Sequence, residues 1–591
     1  MVCGRALILA GCLVASTLPG GPGAATEGRA QGVGAKASSS ASSFQLTVTL
    51  AGSGSGQVTS NPAGISCGVT CTASFSSGTK VRLTATASKG SSFFAGWAGA
   101  CTGDGGCVVA MTANESATAT FNVSQTVNVL NHIVFLAQEN RSLDHYFGAL
   151  RAYWKANGFA DRSFDGLPQF NPTSGLAPLY GPPPTNLGCD SAYPVPDDCT
   201  VDSGSPQVAS YQLITQCIEN PSPSWNESHV DWNLNDPVSA TATLDGFVWT
   251  AAHDAREMKP RYYDTNGIRA MGYYTDTDLN YYYFLASDFA TSDRWFSPVM
   301  ARTASNREYL IAATSQGYAY PIGTDSEDET LLTATTIFQE LQDAGISWKI
   351  YVNPEGSSCE SDPTPQCLLT LSYVQNFQWG QSIPSLYPQS LVPISQFFTD
   401  LQNGTLPQVA QIEPASSAGL DEHPSDTHEY KINVQLGANY VSSLINGLMG
   451  SSSWKDSAFI LTYDEFGGLY DHVPPHGAVS PDGVKPEDLL PGDVCTQANG
   501  PTCNFTHTGY RVPLIVISPF TKPHYVSHTV ADNTAILKLI ETRFQLPALT
   551  KRDAAQMDMT AFFDFNTPAW ITPPTVPAQN TKGRCYLDKL P

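Results

Sequence analysis

The sequence predicts an α/β protein with a mostly parallel sheet sandwiched by helices, preceded by a small all-β domain. Two observations predict the α/β part. Short, uncharged runs of β-branched and aromatic residues alternate with segments of helical periodicity, and polar residues cluster where those runs end. A third observation predicts the β domain, because apolar and polar residues alternate between Gly, Asn and Pro turns over residues 44–124.

The chain has 591 residues, enough for more than one domain, and its 41% of apolar residues suffice for a large core. Its net charge of -23 argues against nucleic acid as a partner and against electrostatic docking on anionic lipid. We therefore expect a globular protein whose substrate is neutral or zwitterionic, or a small anion held locally by a metal.

The first 25 residues have the pattern of a secretory signal peptide. Arg5 precedes an apolar run at 6–18, and Gly- and Ala-rich sequence follows. Residues 9–12 resemble a lipoprotein cleavage box, but only six residues separate Arg5 from Cys12, so lipidation is the minor alternative. Residues 26–43 are predicted to be a flexible linker. No other stretch is apolar for long enough to span a bilayer, so we expect a periplasmic or extracellular protein without a transmembrane anchor.

Twelve of the 14 cysteines lie beyond the predicted signal peptide, and an even number in an exported chain favours disulfides over metal binding. No Cys pair has a His nearby at zinc spacing. Five pairs are close enough in sequence to close small loops, and connectivity otherwise stays open. Those pairs are Cys67/Cys71, Cys101/Cys107, Cys189/Cys199, Cys359/Cys367 and Cys495/Cys503, which leave Cys217 and Cys585.

Within 44–124, alternating runs at 45–50, 80–86 and 117–121 predict strands. The segments GSGSGQVTSNPAGISCGVTC, FAGWAGAC and ATATFNV resemble a repeat domain appended to many bacterial secreted and surface proteins. We expect an accessory or attachment module there, since nothing in it points to catalysis.

From residue 127 onward, strand and helix alternate. Buried strands are predicted at 132–137, 347–352 and 512–518, and helices at 335–344 and 533–544. Repeated βα units predict a parallel sheet covered on both faces, which we assign to a second domain at 127–591.

One stretch combines a buried strand with adjacent acidic residues. The strand predicted at 458–463 ends at Asp464 and Glu465, and a Gly pair allows a turn that we expect to return Asp471 and His472 to the same place. Ligands of open α/β sheets bind at the carboxyl ends of the strands, which favours a metal or phosphate site. The alternative is a solvated acidic loop.

Three further sets of polar residues lie near strand ends or helix starts. Glu139 and Asn140 follow the strand at 132–137, with His145 close behind, and His423 lies on a predicted loop. Thr303 precedes a helix predicted at 309–313, where backbone N–H groups favour a phosphate, so Thr303 is a candidate nucleophile. The alternative is that Thr303 only caps this helix.

These residues lie in segments that resemble the bacterial phosphoesterases, the phosphatidylcholine-type phospholipases C and a secreted acid phosphatase, which are related to the alkaline phosphatase superfamily. The segments keep the family's order over about 127–565: QENRSLDHYFG, MGYYTDTDLNYYYFLASDFATSD, ARTASNR, GISWKIYV, GTLPQV, EHP, YDEFGGLYDHVPP and GYRVPLIVISPF. The chain departs from the family pattern at Arg302 and Ser305 beside Thr303, at Phe466, and at Pro223.

The resemblance implies an alkaline phosphatase-like fold and a divalent metal ion, with Ca, Mg, Mn and Zn all open. The implied metal ligands are Glu139, Asn140, Thr303, Asp464 and Glu465. Thr303 is the implied nucleophile, and the implied polar partners of the phosphate or leaving group are His145, His423 and His472.

We therefore expect a secreted phosphoesterase of the phospholipase C type that uses a metal-assisted Thr nucleophile. The alternatives are an acid phosphatase acting on phosphomonoesters and an inactive secreted binding protein. A sulfatase is disfavoured, because no Cys-x-Pro-x-Arg segment supplies its modified nucleophile. The expected partners are a phospholipid or small phosphoester, together with a surface bound by the β domain.

Overall fold

The computed structural model describes residues 42–88, 92–124, 126–257, 262–323, 330–425, 432–497 and 500–590. The chain divides into two compact units, Met1–Val123 and Ser124–Pro591. The predicted signal peptide and all but the last two residues of the predicted linker lie outside the described residues.

The first unit consists of β-strands in the part that the structure describes. Two four-stranded sheets have the orders β4-β1-β8-β6 and β3-β2-β5-β7. Their strands are β1 (Ser43–Ala51), β2 (Gly56–Asn61), β3 (Ser66–Cys67), β4 (Thr72–Ser76), β5 (Lys80–Ala87), β6 (Ser92–Gly99), β7 (Cys107–Ala110) and β8 (Glu115–Val123).

Burial in this unit follows the period of two that the sequence predicts. In β5, Val81 and Leu83 are buried while their neighbours face solvent. Both sheets contribute side chains to one core, which includes Trp97. Disulfides join Cys67 to Cys71 and Cys101 to Cys107.

The second unit is built on an eight-stranded sheet of order β17-β16-β18-β9-β19-β20-β14-β21. The strands of this unit are β9 (His132–Gln138), β10 (Thr185–Leu187), β11 (Gln207–Ala209), β12 (Tyr211–Gln212), β13 (Gly272–Tyr273), β14 (Ala290–Ser292), β15 (Trp295–Phe296), β16 (Trp348–Val352), β17 (Leu391–Pro393), β18 (Val409–Ile412), β19 (Ser457–Tyr463), β20 (Ile515–Ile517), β21 (Tyr525–Ser527) and β22 (Ala531–Asp532).

The large sheet is mostly parallel, as predicted. Every neighbouring pair from β17 to β19 is parallel, β20 pairs antiparallel with both β19 and β14, and β14 and β21 are parallel again. β20 is thus the one reversed strand of this sheet. It is shorter than the strand predicted at 512–518, which contains Pro513, and proline removes a ladder donor.

Helices cover this sheet on both faces. All seven residues of β19 are buried, which requires cover on each side. One group of packed helices contains α6, α7, α12 and α13, and another contains α2, α5, α10 and α11. The helices are α1 (Leu143–Phe147), α2 (Leu150–Asn157), α3 (Trp225–Trp232), α4 (Phe247–Glu257), α5 (Asn280–Asp288), α6 (Thr303–Ala312), α7 (Ile337–Asp343), α8 (Pro365–Leu369), α9 (Ile383–Leu386), α10 (Ser395–Asn403), α11 (Val434–Met449), α12 (Thr534–Phe544) and α13 (Lys551–Ala554).

Four disulfides stabilise the second unit: Cys189–Cys199, Cys217–Cys585, Cys359–Cys367 and Cys495–Cys503. Cys217 and Cys585, which sequence proximity did not pair with any neighbour, are therefore bonded to each other across a separation of 368 residues. None of the helices in the described ranges has both the length and the apolar character that crossing a membrane requires.

Candidate active site

The two central strands end side by side. Gln138 and Tyr463 pair in the parallel register of β9 and β19, so the residues after each strand leave the sheet at one edge. The Asp464 N–H donates to the Gln138 carbonyl oxygen over 3.0 Å, and the Arg141 N–H donates to the Glu465 carbonyl oxygen over 3.0 Å. This register brings the polar residues after β9 next to the acidic pair after β19.

Backbone conformation fixes the turn after each strand. Asn140 has a φ of 59°, in the left-handed region that Asn tolerates, and its N–H donates to Asp464 Oδ1 over 2.9 Å. Gly467 has a φ of 72°, and a Cβ atom there would lie 2.4 Å from the Asn140 carbonyl oxygen. Glycine is therefore required at 467 by both its φ and this close approach.

The carboxylates at this edge are buried with little compensating positive charge. Burial and then the neighbouring Asp464 raise the pKa of Glu139 well above its ordinary value, and Arg307 opposes this only in part. Burial and then Asp464 also raise the pKa of Glu465. A further cation among these groups would favour their charged forms.

Arg307 is a member of this site that the sequence analysis did not include. Its buried guanidinium places Nη2 3.0 Å from Glu139 Oε1 and Nε 3.5 Å from Asp464 Oδ2. The sequence does contain a signal that could have identified Arg307. Arg307 follows Thr303 by four residues, and residues at i and i+4 lie on the same face of a helix.

The oxygen atoms of this edge suit a divalent metal ion. Asp464 Oδ2 and Glu465 Oε1 are buried and accept no hydrogen bond from any residue that the structure describes. Carboxylate, amide and hydroxyl oxygens are the ligands of hard divalent cations. Oxygens of these kinds belong to the residues that the sequence predicts as ligands, and their binding of a metal stays a prediction: Glu139, Asn140, Thr303, Asp464 and Glu465.

Thr303 faces the carboxylates and does not cap its helix. It is the first residue of α6, and Arg302 occupies the N-cap position without a side-chain capping bond. The Thr303 hydroxyl instead donates to Glu139 Oε2 over 3.3 Å or Asn140 Oδ1 over 3.4 Å. The helix-cap alternative is therefore wrong. The helix also begins six residues before the predicted start at 309.

The turn before α6 is held by one side chain. Asn306 Nδ2 donates to the Ala301 carbonyl oxygen over 2.7 Å, and Asn306 Oδ1 accepts from the Val299 N–H over 3.0 Å. Because the loop of residues 298–302 is tied to the helix in this way, the position of the Thr303 hydroxyl is set by α6.

A cavity of about 670 Å³ opens onto this edge. Its lining includes Thr303, His423, Glu139 and Asn140, together with residues that the sequence analysis did not select. His423 is positioned by its N–H, which donates to Asp421 Oδ1 over 3.2 Å, and by a hydrogen bond between Nδ1 and the Pro424 carbonyl oxygen. The further polar lining residues are Asn220, Ser222, Ser224, Asp254, Tyr262, Arg302, Tyr373, Ser416 and Asp421.

His145 is buried and does not line this cavity. Its Nδ1 bonds the Gly272 carbonyl oxygen over 2.7 Å, and its Nε2 lies 3.1 Å from Arg141 Nη1. Burial and then Arg141 lower the pKa of His145 well below its ordinary value. Its surroundings are those of a neutral packing residue, which differs from the predicted contact with phosphate or leaving group.

His472 belongs to a separate cluster, so the prediction that it returns to the acidic pair at 464 and 465 is corrected. Its Nδ1 lies 2.6 Å from Asp144 Oδ2, and its Nε2 lies 3.2 Å from Asp165 Oδ1. Asp471 accepts from Arg511 Nε over 2.9 Å in the same cluster. Neither Asp471 nor His472 is among the residues that line the cavity.

The atoms of Asp144, Asp471 and His472 approach one another within 4.8 Å, which is close enough for metal ligands. Arg511 already lies among them, however, with Nη2 3.2 Å from Asp144 Oδ1 and 3.2 Å from His472 Nδ1. Because Arg511 and His472 already pair with the carboxylates of Asp144 and Asp471, we interpret the cluster as an ion-pair network.

Comparisons with known proteins agree with these features. The model of the Phosphoesterase family matches residues 130–547. Phospholipase C A of Mycobacterium tuberculosis is 30% identical over 467 residues, covering 76% of this chain and 79% of that protein. Non-specific phospholipase C5 of Arabidopsis thaliana is 28% identical and covers 75% of this chain and 76% of its own.

Among solved structures, a protein in the alkaline phosphatase superfamily from Vibrio parahaemolyticus aligns with a TM-score of 0.28 and 10% sequence identity. The alignment covers 47% of this chain and 62% of that one. The family assignment therefore rests on the family model and the sequence relatives. By these matches the chain belongs to the Phosphoesterase family, whose members are hydrolases of phosphoester bonds.

Proposed function

We propose that the chain is a secreted, metal-assisted phosphoesterase of the phospholipase C type in which Thr303 is the nucleophile. The observation that carries the proposal is the contact of the Thr303 hydroxyl with Glu139 Oε2 and Asn140 Oδ1 at the wall of the cavity. A hydroxyl with only a structural role would be expected to cap the helix or bond its own backbone.

A divalent cation held by Glu139, Asn140, Asp464, Glu465 and Thr303 would neutralise phosphate charge and make the Thr303 hydroxyl more acidic. Arg307 holds two of these carboxylates in place from the side of α6. Glu139 Oε2, which accepts from the Thr303 hydroxyl, is the atom positioned to take its proton.

In the proposed reaction, Thr303 Oγ1 forms a bond to phosphorus while the ester bond to the leaving oxygen breaks. His423 would donate a proton to that oxygen from Nε2, because its Nδ1 is engaged by the Pro424 carbonyl oxygen. Water then attacks the phosphothreonine, and the bond between phosphorus and Oγ1 breaks. This step releases a phosphomonoester and restores the Thr303 hydroxyl.

A phospholipid is the proposed substrate because the relatives are named phospholipases C and match most of this chain. Hydrolysis of phosphomonoesters is the second candidate, since the proposed nucleophile and metal ligands would serve it equally well. An inactive binding protein is disfavoured, because a chain without activity has no need to keep Glu139, Asn140, Thr303, Asp464 and Glu465 together.

Export and the role of the first unit are part of the same proposal. The predicted signal peptide at 1–25 would direct secretion, and the six disulfides suit an oxidising compartment. We assign 44–124 to an accessory domain for surface attachment and 127–591 to the catalytic domain.

The proposal is tested by assaying purified protein on phosphatidylcholine and on an aryl phosphate, with and without a chelator. We expect release of diacylglycerol from the lipid, loss of that activity with chelator, and recovery on adding back a divalent metal. Turnover of the aryl phosphate alone would favour the phosphatase. Lipid hydrolysis that resists prolonged chelation would contradict the role of the metal.

A further inference from the structure

An exposed apolar tip lies on a Pro-rich loop of the second unit. Three large apolar side chains within five residues face solvent: Leu176 is 45% exposed, Leu179 is 63% exposed and Tyr180 is 60% exposed. Single exposed apolar residues are ordinary on protein surfaces, but a local group of them marks a contact site. We call residues 176–180 the apolar tip.

Hydrogen bonds to its backbone hold the apolar tip in place. Arg151, whose side chain is 1% exposed, donates from Nη1 to the Pro178 carbonyl oxygen over 2.8 Å and pairs with Asp161 over 2.6 Å. The Gly181 N–H donates to the Pro168 carbonyl oxygen over 2.9 Å at the end of the tip. The loop is thus anchored through its backbone while its apolar side chains face outward, so burying them on a partner orders little additional chain.

The charge of the surrounding sequence indicates what the tip contacts. Residues 163–255 contain no Lys or Arg and eleven Asp or Glu. Recognition of anionic lipid or of nucleic acid requires clusters of basic residues. This stretch contributes none, and Lys155 is the one exposed lysine that lines a cavity with residues 172–174 of the loop. Apolar side chains with a Tyr among them suit the boundary between lipid headgroups and acyl chains, where Tyr is enriched.

The loop is connected to the edge of the sheet that carries the candidate active site. Its anchor at Pro168 follows Leu167, whose N–H donates to the Gly148 carbonyl oxygen over 2.9 Å. Gly148 ends α1, which begins three residues after Asn140. Contact between the tip and a lipid surface would hold the enzyme on that surface.

We propose that the apolar tip inserts into the surface of zwitterionic or neutral phospholipid and docks the enzyme on its substrate. This inference rests on the proposed phospholipase C function for its purpose, but binding can be measured without turnover. It identifies Leu176, Leu179 and Tyr180 as determinants of activity on aggregated lipid, separate from the residues proposed for chemistry.

The test compares two leucines with equal exposure. Leu179 lies in the tip, and Leu386, also 63% exposed, ends α9. For Leu179→Ser we expect about tenfold weaker binding to phosphatidylcholine vesicles in a flotation assay, and a similar loss of activity on those vesicles. Activity on monomeric short-chain phosphatidylcholine, which presents no lipid surface, should be unchanged. Leu386→Ser should change none of these, and Tyr180→Trp should retain or strengthen vesicle binding.

Several outcomes would overturn the proposal. Equal effects of Leu179→Ser and Leu386→Ser on vesicle binding would remove any special role of the tip. Binding that requires anionic lipid would contradict the charge argument. A change in oligomeric state with vesicle binding intact would make the tip a contact between copies of the chain. If vesicles bind but no lipid is hydrolysed, the docking surface stands and the proposed function fails.

Discussion

Three buried carboxylates lie at the end of β9 and β19, and two of them contact one guanidinium. Glu139 and Asp464 contact Arg307, and Glu465 donates its backbone N–H to Asp464 Oδ1 over 2.8 Å. Because burial and mutual repulsion raise the pKa of Glu139 and Glu465, the charged forms are costly without a further cation. The same repulsion makes each of these side chains sensitive to single substitutions.

The Thr303 substitutions separate nucleophilic attack from a structural role. We expect Thr303→Ala to abolish phosphoester turnover, because it removes the attacking oxygen, and Thr303→Ser to retain part of it. Both variants should unfold near the wild-type temperature, since Thr303 makes no capping bond, and should still bind metal through the four other proposed ligands. Substantial turnover by folded Thr303→Ala would instead assign the attack to water.

Asp464→Asn tests metal binding at nearly constant shape. The retained oxygen can still accept from the Asn140 N–H, while the loss of charge should lower metal affinity by at least about tenfold and reduce the rate with it. Metal content by elemental analysis and turnover are measured on the same sample. Asp400→Asn is the control, because Asp400 pairs with Lys349 away from the cavity and should affect only stability.

His472 should make stability depend on pH. Although burial opposes it, Asp144 and then Asp165 raise the pKa of His472 to about 9, above the ordinary 6.5. The protonated ring therefore contributes stability that is complete below pH 6.5 and is lost as pH rises through about 9. We expect His472→Gln to lower the free energy of unfolding by up to about 3 kcal/mol at pH 6, with the difference shrinking by pH 9.5.

Denaturant unfolding at both pH values provides this measurement. His132→Gln is the control, because it removes a histidine ring that bonds a backbone oxygen, that of Pro407, over 2.9 Å. A cost for His472→Gln that is the same at pH 6 and pH 9.5 would show that His472 packs as a neutral ring.

At the scale of elements, the turn after β19 depends on Gly467. Gly467→Ala meets both an unfavourable φ and the Asn140 carbonyl oxygen at 2.4 Å, so the backbone must shift. We expect a loss of roughly 3 kcal/mol in stability together with weaker metal binding. The matched control is Gly345→Ala, because Gly345 has a φ of 71° and open space around its Cβ direction.

Thermal unfolding and metal titration of both variants distinguish the cost of the unfavourable φ from the cost of the close approach to the Asn140 carbonyl oxygen. Gly345→Ala should cost about 1 kcal/mol and leave metal binding unchanged. Similar losses in the two variants would mean that φ alone accounts for glycine at 467.

At the scale of the whole molecule, the two units should be separable in function. Each unit has its own core, and disulfides in the described residues join cysteines of the same unit. Deleting residues 44–123 should therefore leave hydrolysis of a soluble ester within about twofold of the full chain. Loss of that activity in a deletion variant with an intact melting transition would show that the first unit supports the site.

Local sequence patterns by themselves determined the elements and where several of them end. Apolar runs at 132–137 and 458–463 predicted β9 and β19, because strand formation and burial depend on residues close in sequence. The acidic and amide side chains after those strands followed from the same patterns. The position of Thr303 before a helix made it a candidate nucleophile, and the family resemblance implied its role and that of His423.

Only the tertiary structure decided which of the candidate residues meet. Thr303 contacts Glu139 across 164 positions of sequence, and Arg307 reaches the same carboxylate from α6. His145 and His472 have equally suggestive positions in the sequence, yet each is directed to other partners. The reason is physical: short-range patterns set the conformation of each segment, whereas strand order and helix packing set which distant side chains converge.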